Sequence, residues 1–425
     1  MRNKVLAFLV LVLLCPVFAN GQNITITGKT NIPNALVRLL AYDEMLTAEQ
    51  TKIAETQSDK DGKFTLKATV SEITPAQIAI NLDRVDIILN PNGKYDLEII
   101  IPKQKEDESY FEKEQPLLSI NAADDGGLYS QYVMAEEMLN DFIYENFQQI
   151  YRGRKLYLMD TIENQIYRQL GGVKFDYVKD MITYRKATFE MTLNADKTIA
   201  KYFDNQKVLY LNWAYMGVFC DVFAGYLSRR EFNQADLENA FYLGYDKFMT
   251  YLDKNDFLSR NRQICELVAM AEMRRLYFEG SYDKQVILKY FKHIQETSKY
   301  QKNKLVAANL IKWVTKLSYD SDAPSFSLKD KNGKTVQLSD YQNNMVVLQF
   351  VDRLTSLIAK DFATLDELHK QWGDSVQIVT IVTKESFGNC TQMFDKQGYT
   401  WTILNLGDDI LLLEDYDVTT FPAYF

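Results

Sequence analysis

The stretch that decides the fold of the C-terminal part of this chain reads Val346-Val-Leu-Gln-Phe-Val-Asp-Arg-Leu-Thr-Ser-Leu-Ile-Ala-Lys360. Its apolar run, Val346 to Phe350, has the length of a buried strand and breaks into a short polar loop. Apolar residues then return at helical spacing, at Phe362, Leu365, Leu368 and Trp372. The pattern predicts a strand that leads into a helix, and the N-terminus of such a helix can activate a nucleophile or bind an anion.

A second motif lies just before this stretch. It reads Ala323-Pro-Ser-Phe-Ser-Leu-Lys-Asp-Lys-Asn-Gly-Lys-Thr-Val-Gln-Leu-Ser-Asp-Tyr341. It resembles the hairpin that opens the domain of the thioredoxin-like envelope oxidoreductases, the TlpA and AhpC/TSA-like group, whose pattern is roughly APxFxLxDxxGKxVxLSDY. The resemblance implies a thioredoxin-like α/β domain and, by default, thiol-disulfide exchange.

The loop after the predicted strand departs from that group. The group has a Trp-Cys-x-x-Cys loop there, and an ungapped alignment places Thr355 and Ile358 on its two cysteines. Such a pair works because the helix N-terminus lowers the pKa of the first thiol and the second thiol resolves the mixed disulfide. Related peroxidases keep Thr-x-x-Cys, so Ile358 also replaces their reactive cysteine. The resemblance therefore implies the fold without its dithiol chemistry, and no catalytic residue is expected at these positions.

The end of the chain carries a third motif, Tyr416-Asp-Val-Thr-Thr-Phe-Pro422. It resembles the segment that holds the group's cis-proline, which faces the dithiol loop. The resemblance implies that Phe421 and Pro422 line, with Thr355, a groove for an extended peptide. Members of the group continue through two antiparallel strands and a helix, whereas this sequence stops at Phe425. We therefore expect either a fragment of a longer chain or a truncated gene, and we favour the fragment.

Cysteine usage favours a protein without redox chemistry. Cys390 falls on a predicted helix, where it is a lone thiol that could at best form mixed disulfides. Cys220 and Cys265 lie in apolar helical patterns and are expected to be buried thiols, although a bridge between them stays open. Because no CxxC pair or metal-type cluster occurs, we predict neither a metal nor a cofactor.

The N-terminus predicts export. Arg2 and Lys4 precede the apolar run Val5 to Leu14, which is typical of a signal peptide and too short for an ordinary membrane span. Lipidation of Cys15 is not expected, because Leu14 is bulkier than the residue that normally precedes a lipidated cysteine. No later stretch is apolar enough to span a bilayer, so the mature protein is expected in the periplasm or cell envelope.

The rest of the chain divides by pattern into a multidomain protein of α+β and α/β type. Residues 1–21 are the predicted signal peptide, and residues 22–103 show short strands and turns typical of a small β-sandwich. Residues 104–127 are dense in charge and predict a solvated linker. Residues 128–320 predict six to eight helices, and residues 321–425 form the thioredoxin-like domain.

Three functions fit these observations. The first is a thioredoxin-like module that lacks a CxxC and binds an envelope protein or peptide. The second is a working thiol-disulfide oxidoreductase or AhpC/TSA-type antioxidant enzyme, as the resemblance implies. The third is a structural or assembly protein that acts through its helical region. The formal net charge of -9 argues against a nucleic-acid partner. We favour the first hypothesis.

Overall fold

The computed structural model describes residues 23–103, 109–204, 206–319 and 321–425. The predicted signal peptide and Cys15 lie outside these residues. None of the helices in the described ranges is long and apolar enough to cross a membrane.

The N-terminal part is built from strands. They are β1 (Ile24–Thr30), β2 (Leu36–Tyr42), β3 (Gln50–Gln57), β4 (Lys63–Ala68), β5 (Thr74–Ile80), β6 (Asp83–Leu89), β7 (Lys94–Ile100) and β8 (Leu117–Asp124). They form two four-stranded sheets, in the orders β4-β1-β7-β8 and β3-β2-β5-β6. Alternating side chains from both sheets, such as Ile26, Leu39, Ile78 and Leu97, share one hydrophobic core. The two sheets therefore form a β-sandwich.

The linker predicted for residues 104–127 is wrong over residues 117–124. These residues form β8, which pairs antiparallel with β7 at the edge of a sheet. The prediction failed because β8 is largely exposed and carries little apolar signal, and because the preceding charges suggested solvated chain. A short 3-10 turn, Tyr110–Glu112, lies between β7 and β8 in the chain, and its contacts are described below.

The middle of the chain is helical. Its α-helices in the described residues are α1 (Leu128–Glu145), α2 (Tyr157–Gln169), α3 (Asp176–Met191), α4 (Ala195–Tyr202), α5 (Trp213–Phe223), α6 (Gln234–Tyr242), α7 (Tyr245–Leu252), α8 (Arg262–Glu279), α9 (Lys284–Thr297) and α10 (Gln301–Thr315). These are more than the six to eight predicted, because α4 and α7 have only 8 residues each and are too short to be separated from their neighbours by pattern alone. Helix α5 is buried in the core of this region, as its apolar sequence predicts.

The C-terminal domain alternates strands and helices. Its elements are β9 (Ser327–Asp330), β10 (Thr335–Gln337), β11 (Met345–Val351), α11 (Ser356–Trp372), β12 (Val376–Val382), α12 (Lys384–Gln397), β13 (Thr402–Asn405), α13 (Ile410–Asp415) and β14 (Ala423–Tyr424). The sheet has the order β10-β9-β13-β12-β11-β14, with β11, β12 and β13 parallel and β14 antiparallel to β11. The strand predicted at Val346 to Phe350 and the helix after it are confirmed. Apolar side chains pack on both faces of this sheet.

The sandwich contacts the C-terminal domain directly. Leu82, at the turn between β5 and β6, packs into the same core as β11 and α13. Nearby, Arg38 Nη1 donates a hydrogen bond of 2.6 Å to the backbone oxygen of Asp408. Arg84 forms an ion pair with Glu414. These contacts bring the sandwich close to the site that the sequence predicts.

Candidate functional site

Thr355 begins helix α11 as its N-cap residue. Its backbone is extended, and its Oγ1 accepts a hydrogen bond of 3.2 Å from the backbone N–H of Ile358. A capping hydroxyl satisfies one of the N–H groups that a helix start leaves without an intrahelical partner. The hydroxyl of Thr355, the residue that the sequence alignment places on the group's first cysteine, thus caps the helix start.

Ile358 points into the protein interior. Its side chain is 3% exposed and belongs to a core shared with Phe362 of α11 and Phe394 of α12. Ile358, the residue that the sequence alignment places on the group's second cysteine, therefore contributes apolar packing between two helices.

Cys390 is fully buried in that same core, on helix α12. Burial raises the pKa of its thiol to about 12, and the negative charge of Asp352 acts in the same direction. Burial also raises the pKa of Cys220 to about 11 and that of Cys265 to about 12. The three cysteines of the described chain are free thiols. The thiol form of Cys390 is therefore strongly favoured over the thiolate at neutral pH.

Pro422 lies beside the end of β11 from which the Thr355 loop departs. The Phe421–Pro422 peptide bond is cis, and β14 follows it immediately. In the antiparallel register of these strands Ala423 lies opposite Phe350, one residue before the end of β11. The structure thus brings Phe421, Pro422 and the loop of Thr355 to the same edge of the sheet.

A chain of polar side chains ties β14 to helix α11. Tyr424 accepts a hydrogen bond of 2.9 Å from Gln349 Nε2 and donates one of 2.9 Å to Asp361 Oδ2. Gln349 Oε1 in turn accepts a hydrogen bond of 3.0 Å from the hydroxyl of Thr380. This network holds the strand after Pro422 against the helix that Thr355 caps.

Asp352 is a site residue that the sequence reasoning missed. It follows β11 directly, its side chain is largely buried, and its backbone oxygen accepts a hydrogen bond of 2.7 Å from the Thr383 hydroxyl. Its carboxylate oxygen Oδ2 accepts hydrogen bonds from Ser109 Oγ at 2.8 Å and from Tyr110 N at 3.0 Å. An acidic residue between a buried strand and the loop was the available signal, because a buried carboxylate requires donors.

The residues bound to Asp352 belong to a short stretch, Ser109–Lys113, which we call the docked segment. The ring of Phe111 stacks on Phe421 with centroids 5.3 Å apart, and Tyr110 meets Phe421 edge-on at 6.2 Å. The charge pattern of these residues predicts a solvated linker, and no pattern in them predicts the contact with Phe421.

The site as a whole offers polar and aromatic contacts. A cavity of about 350 Å³ lies next to the docked segment, lined by Leu82, Arg84, Phe111, Leu413 and Val418 among others. Within the described ranges, no cluster of three or more His, Cys, Asp or Glu side chains could hold a metal ion. The arrangement can bind a chain segment through a carboxylate and aromatic rings, and it lacks an accessible thiolate.

Comparison with known proteins agrees with this fold. The AhpC/TSA family model matches residues 320–422. The thiol-disulfide oxidoreductase ResA of Bacillus subtilis (strain 168) is 31% identical over 110 residues, which cover 26% of this chain and 61% of that protein. The match thus spans about three fifths of that relative's length.

Two solved structures are also similar. One is the thioredoxin domain of a thiol-disulfide oxidoreductase from Bacteroides vulgatus, at 22% identity, with 25% of this chain and 79% of that chain covered and a TM-score of 0.24. The other is a secreted disulfide oxidoreductase of Mycobacterium tuberculosis, at 21% identity, with 23% and 72% covered and a TM-score of 0.22. On the family match and the sheet topology together, residues 320–422 form a thioredoxin-like domain that is similar to the AhpC/TSA family.

Proposed function

We propose that this chain is an exported protein whose thioredoxin-like domain binds a polypeptide segment and does not exchange disulfides. One observation carries the proposal: both dithiol positions have structural roles, Thr355 as a helix cap and Ile358 as a core residue. Dithiol exchange needs a thiolate to attack and a second thiol to resolve the mixed disulfide. Neither position supplies one.

Binding is supported by what surrounds these positions. The start of helix α11 can bind an anionic group, and the edge of the sheet near Pro422 can pair with an extended chain. The carboxylate of Asp352 and the ring of Phe421 already contact a stretch of polypeptide here. The site is therefore suited to recognising backbone N–H groups and aromatic side chains.

The alternative function is a working oxidoreductase, as the name of the Bacillus subtilis relative suggests for that protein. In this chain the reaction would have to use Cys390, which is fully buried with its pKa raised to about 12. Attack by that sulfur would need helix α12 to leave the core. We therefore rank this function second.

Export is part of the proposal. It is supported by the charged and apolar pattern of residues 1–14 and by the description of the Mycobacterium tuberculosis protein as secreted. An envelope protein or peptide is accordingly the partner that we propose.

The test is reduction of insulin disulfides with dithiothreitol as electron donor, by the chain from Gln22 onward. We expect the native chain to match the background rate. A Thr355→Cys/Ile358→Cys variant should exceed that rate by about tenfold or more, because the helix N-terminus can then lower a thiol pKa. A Cys390→Ser variant serves as the control for the buried thiol.

Activity of the native chain that disappears in Cys390→Ser would overturn the proposal and make Cys390 the nucleophile. Activity of the native chain that survives this substitution would overturn it as well, by pointing to a different thiol.

A further inference from the structure

The geometry points to an internal ligand: we propose that the docked segment, Ser109–Lys113, occupies the peptide-binding groove beside Phe421 and Pro422 and must leave before a partner binds. The inference deepens the proposed function and rests on it, since it names the kind of partner and what controls its access. The partner is a polypeptide segment that offers the same groups: a hydroxyl, a backbone N–H and aromatic rings.

The docked segment touches both elements that frame the site. On one side, Ser109 and Tyr110 bind Asp352, which lies three positions before Thr355 in the chain. On the other side, Tyr110 and Phe111 pack on Phe421, which directly precedes Pro422. A stretch of chain in this position leaves no room for a second one at the same contacts.

The buried carboxylate of Asp352 favours a partner that carries hydrogen-bond donors. Its side chain is only 6% exposed, so its charge must be compensated by hydrogen-bond donors. Ser109 and Tyr110 direct a hydroxyl and a backbone N–H at the same oxygen, and hydrogen bonds to a charged acceptor are stronger than neutral ones. When the docked segment leaves, an incoming chain that offers the same donors restores this compensation.

The docked segment is also anchored to the sandwich. The Lys113 ammonium lies 2.5 Å from Asp83 Oδ1 and 4.4 Å from the centroid of the Tyr110 ring. The Tyr110 hydroxyl donates a hydrogen bond to the backbone oxygen of Leu82. Occupation of the groove is thereby coupled to the position of the sandwich against the thioredoxin-like domain.

The two aromatic rings of the docked segment differ in how deeply they are buried. Phe111 keeps 44% of its surface exposed while it stacks on Phe421, whereas Tyr110 packs against the apolar core that contains Leu82. The segment comes from a stretch of the sequence that is rich in charge and compatible with solvent. Release of the docked segment therefore requires Tyr110 to leave this core and Lys113 to leave Asp83, while Phe111 needs only to unstack from Phe421.

The experiment uses a fluorescently labelled peptide, Ser-Tyr-Phe-Glu-Lys-Glu-Gln, which copies residues 109–115. Its binding is measured by fluorescence anisotropy to the native chain and to a Tyr110→Ala/Phe111→Ala variant. We expect the variant to bind the peptide about tenfold or more tightly than the native chain does, because its groove is free. The same peptide with both aromatic residues replaced by alanine should not bind the variant.

A matched control is Tyr144→Ala/Phe147→Ala, which removes two exposed aromatic rings from elsewhere in the chain. It should bind the peptide as weakly as the native chain does. Equal binding by the native chain and the Tyr110→Ala/Phe111→Ala variant, or no binding by a folded variant, would overturn the inference.

A second measurement removes only the charge. In an Asp352→Asn variant the acceptor is neutral, and we expect the backbone amide of Tyr110 to exchange hydrogen about tenfold faster than in the native chain. An unchanged exchange rate would overturn the inference even if the alanine variant did not fold. Neither measurement involves a thiol, so its failure is distinguishable from failure of the insulin test.

Discussion

At the scale of single residues, the central feature is that Thr355 and Ile358, which the ungapped alignment places on the group's two cysteines, have structural roles in this chain. The sequence is enough to identify Thr355 and Ile358 as the aligned positions, since the alignment depends only on their spacing from the strand at Val346 to Phe350. It could not predict that the Thr355 hydroxyl caps helix α11, because that depends on a side-chain rotamer. It could not predict the contacts of Asp352 either, because their partners lie 242 and 243 positions away.

The cap on α11 predicts a stability effect. Thr355→Ala removes the oxygen that accepts from Ile358 N, so the free energy of unfolding should fall by about 1 kcal/mol. Thr355→Ser keeps the oxygen and should stay within a few tenths of a kcal/mol of the native value. Urea unfolding monitored by circular dichroism measures both. If the alanine and serine variants are equally stable, the hydroxyl does not act as a cap.

At the scale of elements, strands with buried faces and long helices are the predictable part. Strand β11 and helix α5 have strong apolar patterns, and both lie where the sequence places them. Strand β8 was missed because its side chains are mostly exposed, and its pairing with β7 is made by backbone groups that carry no sequence signal. The docked segment was missed for a related reason: its contacts are with other parts of the chain and leave no periodicity.

The link between β14 and α11 can be tested by removing one hydroxyl. Tyr424→Phe deletes the group that accepts from Gln349 and donates to Asp361. We expect a loss of about 1 kcal/mol in the free energy of unfolding, since the buried amide of Gln349 then lacks a partner. Tyr319→Phe, at a fully exposed tyrosine, is the control and should cause no change. A Tyr424→Phe variant as stable as this control would show that the network contributes nothing.

At the scale of the whole molecule, composition and periodicity separate strands, helices and the thioredoxin-like domain along the chain, but they do not show how these parts touch. The bond from Arg38 to Asp408 joins residues 370 positions apart, and each of them alone looks like an ordinary surface charge. The candidate site depends on such contacts, because the docked segment is held by the sandwich as well as by the thioredoxin-like domain.

The contact between the sandwich and the thioredoxin-like domain gives a prediction at this scale. Leu82→Asp places a carboxylate in an apolar core where Leu82 is 5% exposed, at a cost of several kcal/mol. We expect the two domains to separate without unfolding, which increases the radius of gyration in small-angle X-ray scattering. Leu117→Asp, at a position 63% exposed, should leave the scattering unchanged. A compact Leu82→Asp variant would contradict the described contact.

The most direct test of the central claim, that the site holds no reactive thiol, is reaction with glutathione disulfide. The native chain from Gln22 is incubated with the reagent at pH 7.5, and the intact mass is followed with and without urea. Because burial raises the pKa of the Cys220, Cys265 and Cys390 thiols, we predict an unmodified mass in the folded state and adducts only after unfolding. Rapid formation of an adduct in the folded chain, mapped to Cys390, would contradict the account.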